Sequence, residues 1–157
     1  MINPLNTKST WILALFLTFA VAGCKKDGEK EEETPASTAP KLTATVDGTS
    51  FNATVIELDE EDGIYTLSGI GAGDKTLTLV FNTTAEGTYT LDFDEVSMLY
   101  SVGAVTWTGG PSANGTITIT DNANGKLKGS FQAALDELVF TGTTVNITSG
   151  TFQGIAY

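Results

Sequence analysis

The 157-residue chain contains no histidine and no arginine, and it has one cysteine, Cys24. Without histidine, no Ser-His or Cys-His nucleophile can be assembled, no imidazole can act as a general base, and no Cys/His zinc site is possible. A single thiol cannot close an intramolecular disulfide, so packing and hydrogen bonds must hold the fold. Positive charge is scarce: eight lysines face 19 acids, a net charge of −11. Such a surface repels phosphate backbones, which sets nucleic acid aside as a partner. Neither a G-x-S-x-G elbow nor a phosphate-cradling glycine loop is present. The chemistry left open is that of carboxylates, a serine-lysine pair or tyrosine.

A long hydrophobic run is also missing. Trp11–Gly23, "WILALFLTFAVAG", is thirteen residues without a charge, short of the roughly 20 that span a bilayer as a helix. It has the length of the h-region of a secretory signal. It ends in "VAGC", a branched apolar residue and two small ones before Cys24, which resembles the lipobox of bacterial lipoproteins. The resemblance implies cleavage between Gly23 and Cys24, diacylglycerol on the Cys24 thiol, and a further acyl chain on the new amino terminus. One acyl chain binds a bilayer only marginally, whereas two or three anchor stably. Residues 1–23 are then a removed signal peptide. Lys8 is the only charged side chain before Cys24, so the cleaved chain carries seven lysines against 19 acids, or −12.

Residues 24–40 read as a lipidated cysteine followed by a disordered charged tether. "KKDGEKEEETPASTAP" has no aromatic and no branched aliphatic side chain, so it cannot bury enough surface to offset chain entropy. As a flexible coil its 16 residues average roughly 20 to 25 Å end to end. Lys25 and Lys26 can rest on anionic headgroups. A basic and then acidic stretch after the lipidated cysteine is similar to the signals by which some Bacteroidota lipoproteins reach the cell surface. The expected location is therefore membrane-anchored by lipid, at the outer membrane, on its periplasmic face or at the cell surface.

Residues 41–157 form a body of one-domain size with alternating apolar and polar residues throughout. "LTATV" and "SFNATVI" flank Asp47-Gly48, the favoured centre of a type I′ hairpin turn. Leu77, Leu79 and Phe81 share one face; so do Tyr89, Leu91 and Phe93, then Ile117 and Ile119, then Leu127, Phe131, Ala133 and Leu135. Val145, Ile147 and Phe152 close the pattern. The expectation is an all-β fold: a single antiparallel β-sandwich or flattened barrel of about nine or ten short strands. The body resembles small Bacteroidota lipoproteins that open on V-D-G-x-x-F, here Val46–Phe51, and continue with G-x-[IV]-x-[IV] and G-[ST]-F, here Gly115–Ile119 and Gly129–Phe131. These motifs are turn and core residues, and the resemblance transfers no catalytic assignment.

Four features could carry a site. Glu57, Asp59, Glu60, Glu61 and Asp62 offer oxygen ligands to calcium, but successive strand residues point to opposite faces, and a solvated hairpin tip without metal is the expected reading. "DNANG", Asp121–Gly125, lacks the first aspartate and the closing glutamate of a calcium loop and reads as a turn. The Asn-x-Thr triplets at Asn52, Asn82, Asn114 and Asn146 receive no glycan in a bacterial setting. Trp107 is either a sugar-stacking platform or a core residue; it shares phase with Val105, which favours the core and assigns Thr106 and Thr108 to the solvent side. No cofactor is expected. The main functional expectation is a non-enzymatic, lipid-anchored envelope domain, binding or structural, with the membrane held through Cys24. The alternatives are a carbohydrate-binding module, an accessory subunit with an envelope protein partner, or a carboxylate glycosidase using two of Asp92, Asp94, Glu95, Asp136 and Glu137.

Overall fold

The computed structural model describes residues 39–92, 95–109, 114–139 and 142–157. The signal segment, Gly23, Cys24 and nearly all of the tether lie outside them, as do Phe93 and Asp94. Ten strands follow one another: β1 (Lys41–Val46), β2 (Thr49–Glu61), β3 (Ile64–Gly71), β4 (Lys75–Phe81), β5 (Gly87–Thr90), β6 (Ser97–Val102), β7 (Val105–Thr108), β8 (Asn114–Asp121), β9 (Lys126–Glu137) and β10 (Thr144–Ala156). The order β10-β1-β2-β3-β4-β6-β7-β9 returns from β9 to β10 and closes an eight-strand antiparallel barrel. The number of strands agrees with the sequence pattern, and closure selects the barrel over the sandwich. Three strands are longer than expected, since β2 and β10 have 13 residues and β9 has 12.

One edge of β9 is divided between two neighbours. β8 pairs along it from Lys128 to Ala134, and β7 takes it over at Asp136 and Glu137. β5 extends the sheet beyond β8. We call the end where β1 begins the base and the opposite end the rim. The antiparallel order puts the Asp47-Gly48, Gly73-Asp74 and Gly103-Ala104 turns at the rim, where the Gly103 N–H donates to the Asp74 carbonyl at 3.1 Å.

The turn chemistry follows the residues. Asp47 and Gly48 both have positive φ, 45° and 76°, as a type I′ turn requires. Asn124 and Gly125 also adopt positive φ in a short 3-10 turn, and the Asp121 Oδ1 accepts from the Ala123 N–H at 2.8 Å. "DNANG" is thus the β8–β9 turn.

Alternation fills the inside. Leu77, Leu79 and Phe81 are fully buried, together with Leu67, Met98, Ile117, Leu127 and Leu135. Ile147 and Phe152 stand five residues apart yet are both buried, because a register shift between Ile147 and Gly150, with Ser149 at φ 51°, changes the phase of β10. The outer face is rich in small hydroxyls. One row of directly paired residues, Thr88, Thr118, Ser130, Thr151, Thr43 and Asn52, crosses six strands without a charge. Thr88 and Thr118, and Thr43 and Thr151, lie within hydrogen-bond distance at 3.0 Å.

Candidate functional site

The acidic run is more strand than tip. Glu57 to Glu61 belong to β2, and only Asp62 and Gly63, at φ 53° and 82°, form the turn. The hairpin tip is thus only two residues long, and register carries the rest of the run in the strand: Glu57 faces Ser68, Asp59 faces Thr66 and Glu61 faces Ile64. Ile56 and Leu58 pack against the core, so the intervening Glu57, Asp59 and Glu61 point outward. Glu60 has the inward phase and accepts from the Gly63 N–H at 2.8 Å. A hollow of about 440 Å³ lies beside Asp59, Glu61, Asp62, Ile64 and Thr66. Among the described residues no group of three or more His, Cys, Asp or Glu is placed to hold a metal ion.

The described acids considered for glycoside chemistry belong to two elements, the turn before β6 and the end of β9. Asp92 follows the rimward end of β5, where the Leu91 N–H donates to the Gly115 carbonyl at 3.1 Å, and its Oδ1 accepts from the backbone N–H groups of Glu95 and Val96 at 2.9 and 2.8 Å, an ordinary turn cap. Asp136 lies on the outer face of β9 and accepts from the Thr144 hydroxyl at 3.0 Å. Glu137 follows it on the opposite face and accepts from Thr143. A retaining or inverting pair needs its carboxyls within roughly 5 to 9.5 Å across a cleft; here Asp92 is held in its own turn, and Asp136 and Glu137 are divided by the sheet. Asp94 lies outside the described residues.

Trp107 sits on the inner face at the rim. Its ring packs against the core and lies 5.9 Å from Tyr100, tilted by 33°. Its indole N–H donates to the Thr143 hydroxyl at 3.1 Å. The residue is half-buried, a partial lid on the barrel, which is less than full core burial and more than an open platform. Its neighbours depart from the expected phase in exposure. Val105 is 38% exposed because it stands at the hairpin tip beyond the core, and Thr108 is only 8% exposed although its partner Leu99 has the outward phase. Beneath Trp107, Tyr100 is 4% exposed and meets Phe51 edge to face. Burial first, and the charge of Asp47 second, push the Tyr100 phenol above its ordinary value of 10.0.

The structure brings together a different set. Asn114 on β8 and Asn146 on β10 both pair with Ala134 of β9, from opposite sides. Directly opposed residues hold their Cβ atoms about 5 Å apart, so the two amides stand roughly 10 Å apart across the alanine. Thr116, Gln132 and Thr148 complete a shallow groove of about 260 Å³. Among the described residues no hydrogen bond engages the side chains of Asn114, Thr116, Gln132 or Thr148. Asn146 is tied at one side only: its backbone N–H donates to Asp47 Oδ1 at 2.9 Å, with its amide 3.5 Å from the same oxygen. Sequence reasoning missed this site. The available signal was the pair of triplets Asn114–Thr116 and Asn146–Thr148, whose i, i+2 spacing puts amide and hydroxyl on one face of a strand.

Residues 38–156 match a domain of unknown function, DUF6252. The chain belongs to the DUF6252 family. No curated protein and no solved structure matches it. In this DUF6252 member the matched region begins three residues before β1 and ends with β10, so the domain and the barrel coincide.

Proposed function

We propose that this DUF6252 protein is a lipid-anchored envelope protein whose barrel binds and does not catalyse. The observation that carries the reading is the groove across β8, β9 and β10. Its unengaged groups are amides and hydroxyls, which donate and accept hydrogen bonds but, without an adjacent base, neither attack nor exchange protons at neutral pH. The scattered carboxylates support the same reading. The anchor rests on "VAGC" and on the charge-rich tether that follows it, and it places the barrel at the outer membrane, on its periplasmic face or at the cell surface.

Replacing Cys24→Ala and fractionating cells tests the anchor. The variant should leave the membrane pellet for the soluble fraction. A processed Cys24→Ala protein that still pellets and resists salt and carbonate washing overturns it.

A further inference from the structure

We propose that the groove bounded by Asn114, Thr116, Gln132, Ala134, Asn146 and Thr148 is a binding site for an uncharged glycan chain. The proposal deepens the binding reading above and is independent of the lipid anchor. Four properties of the groove narrow its ligand in turn.

Charge comes first. The two rows that form the groove carry no ionisable side chain, although the whole chain has 19 acids against eight lysines. The carboxylates that flank the groove are already engaged: Asp92, beside the start of β8, by the Glu95 and Val96 backbone N–H groups, Asp136 by Thr144, and Asp47 by the Asn146 backbone. An anionic ligand would find no cation here, and a cationic one would find no free acid in the groove.

Backbone pairing comes second. β9 is paired on both edges along the groove, to β8 and to β10. An extended peptide therefore has no free ladder of N–H and C=O groups to join, which is the usual way a strand is captured by a sheet.

Apolar area comes third. Small-molecule pockets are lined mainly by hydrophobic and aromatic side chains, whereas this groove offers the outward methyl of Ala134 between amides and hydroxyls. A hydrophobic ligand would gain little by entering it.

The match comes last. Amides and hydroxyls each donate and accept, and they stand on both sides of a small floor about 10 Å wide. A sugar ring presents hydroxyls of the same dual character around its rim and a C–H face that can rest on the Ala134 methyl. Beyond the groove, the next row on the same face is Thr118, Ser130 and Thr151, again hydroxyls only. A polymer would thus meet more of the same chemistry where a monosaccharide would not, so the site favours a chain over a single sugar.

The full chain, extracted in non-ionic detergent, is run on native gels cast with neutral polymers (a soluble β-glucan, a galactomannan or a dextran) or with anionic polygalacturonate. The proposal expects retardation by at least one neutral polymer and none by polygalacturonate. Gln132→Ala and Asn114→Ala, each removing an exposed amide, should each weaken the apparent affinity about two- to tenfold, the range of one net hydrogen bond. Ala134→Glu, which fills the floor and adds charge, should abolish retardation. Thermal midpoints of the variants matching the wild type show that the barrel is intact; a variant that fails this control is judged by the other two. Retardation by none of the neutral polymers overturns the glycan assignment, and retardation that all three variants leave unchanged overturns the site. Either failure is separate from the anchor, which cell fractionation reads, and from binding as such, which cross-linking to an envelope protein reads.

Discussion

The β2–β3 hairpin at the base and the β8–β9–β10 groove near the rim concentrate polar groups in opposite ways. The hairpin packs five carboxylates into six consecutive residues, Glu57 to Asp62, and the strand then distributes them over two faces and a turn. The groove draws its groups from three separate segments, 114–116, 132–134 and 146–148, and register places them side by side. Density along the chain is therefore a poor guide to density in space when the backbone is extended. A run of like charges in a strand remains solvated. Single amides on three neighbouring strands form a surface.

The two regions should respond very differently to a methyl group, and this is the largest expected effect. A Cβ at Gly129, in the middle of β9, would lie 2.1 Å from the Thr118 carbonyl oxygen and 2.3 Å from the Phe152 ring. Backbone cannot yield as a side-chain tip does, so Gly129→Ala should cost about 3 kcal/mol or more and loosen the groove strands together with the core. Chemical denaturation would check it, and a wild-type midpoint would mean that β8 and β9 are not as closely set. At the hairpin, a Cβ on Gly63 meets nothing within 4 Å, and only its φ of 82° resists substitution. Gly63→Ala should cost about 1 kcal/mol and leave groove binding unchanged.

Between these lies the rim. Trp107→Ala removes a half-buried indole that packs on Tyr100 and bonds Thr143, so it should cost about 2 to 3 kcal/mol, below the 3 to 5 typical of a fully buried aromatic. Trp11 would leave with the signal peptide, so fluorescence of the processed protein reports this ring alone. Emission intermediate between buried and free indole, with partial quenching by acrylamide, is the expected signature.

A smaller effect depends on pH. The folded-state pKa of Tyr100 lies above its ordinary value of 10.0, so the protonated phenol contributes stability that is fully present below that value and lost as pH rises through the folded-state pKa. Alkaline melts should show this loss. Tyr100→Phe keeps the ring against Phe51 and Trp107 and should flatten the pH dependence above 10.0.

The smallest effect belongs to the hairpin carboxylates. Neutralising Glu57, Asp59 and Glu61 together as Gln, Asn and Gln should change stability by no more than about 0.5 kcal/mol. Calcium should likewise leave the melting midpoint where a chelator puts it. A ligand at 100 times its dissociation constant adds about 2.7 kcal/mol, so a shift of several degrees would make the hairpin a cation site and reverse the comparison between the two regions.

Much of the fold was legible because a strand has period two. Leu77, Leu79 and Phe81 announce one inner face, Ile117 and Ile119 another, and Asp47-Gly48 a hairpin, all from local spacing. Where local spacing ended, so did the reading. Val105 shares the phase of Trp107 yet stands exposed at a tip, and Thr108 is buried on the outward phase, because exposure depends on how far the neighbouring strands reach. For the site, Trp107 and the acids attracted notice as rare or clustered residues, while Asn114, Gln132 and Asn146 look like ordinary strand residues wherever each occurs.

By itself the sequence determined the strand periodicity, the turns that demand positive φ, the excess of negative charge and the chemistry closed to a chain without histidine. These are properties of single residues and their near neighbours. Only the tertiary structure decided that the sheet closes into a barrel, that β7 and β8 divide one edge of β9, and that two Asn-x-Thr triplets 32 residues apart face each other across Ala134. The physical reason is that pairing register is a relation between distant segments: a slip of one residue would turn Asn114 or Asn146 to the opposite face of its strand.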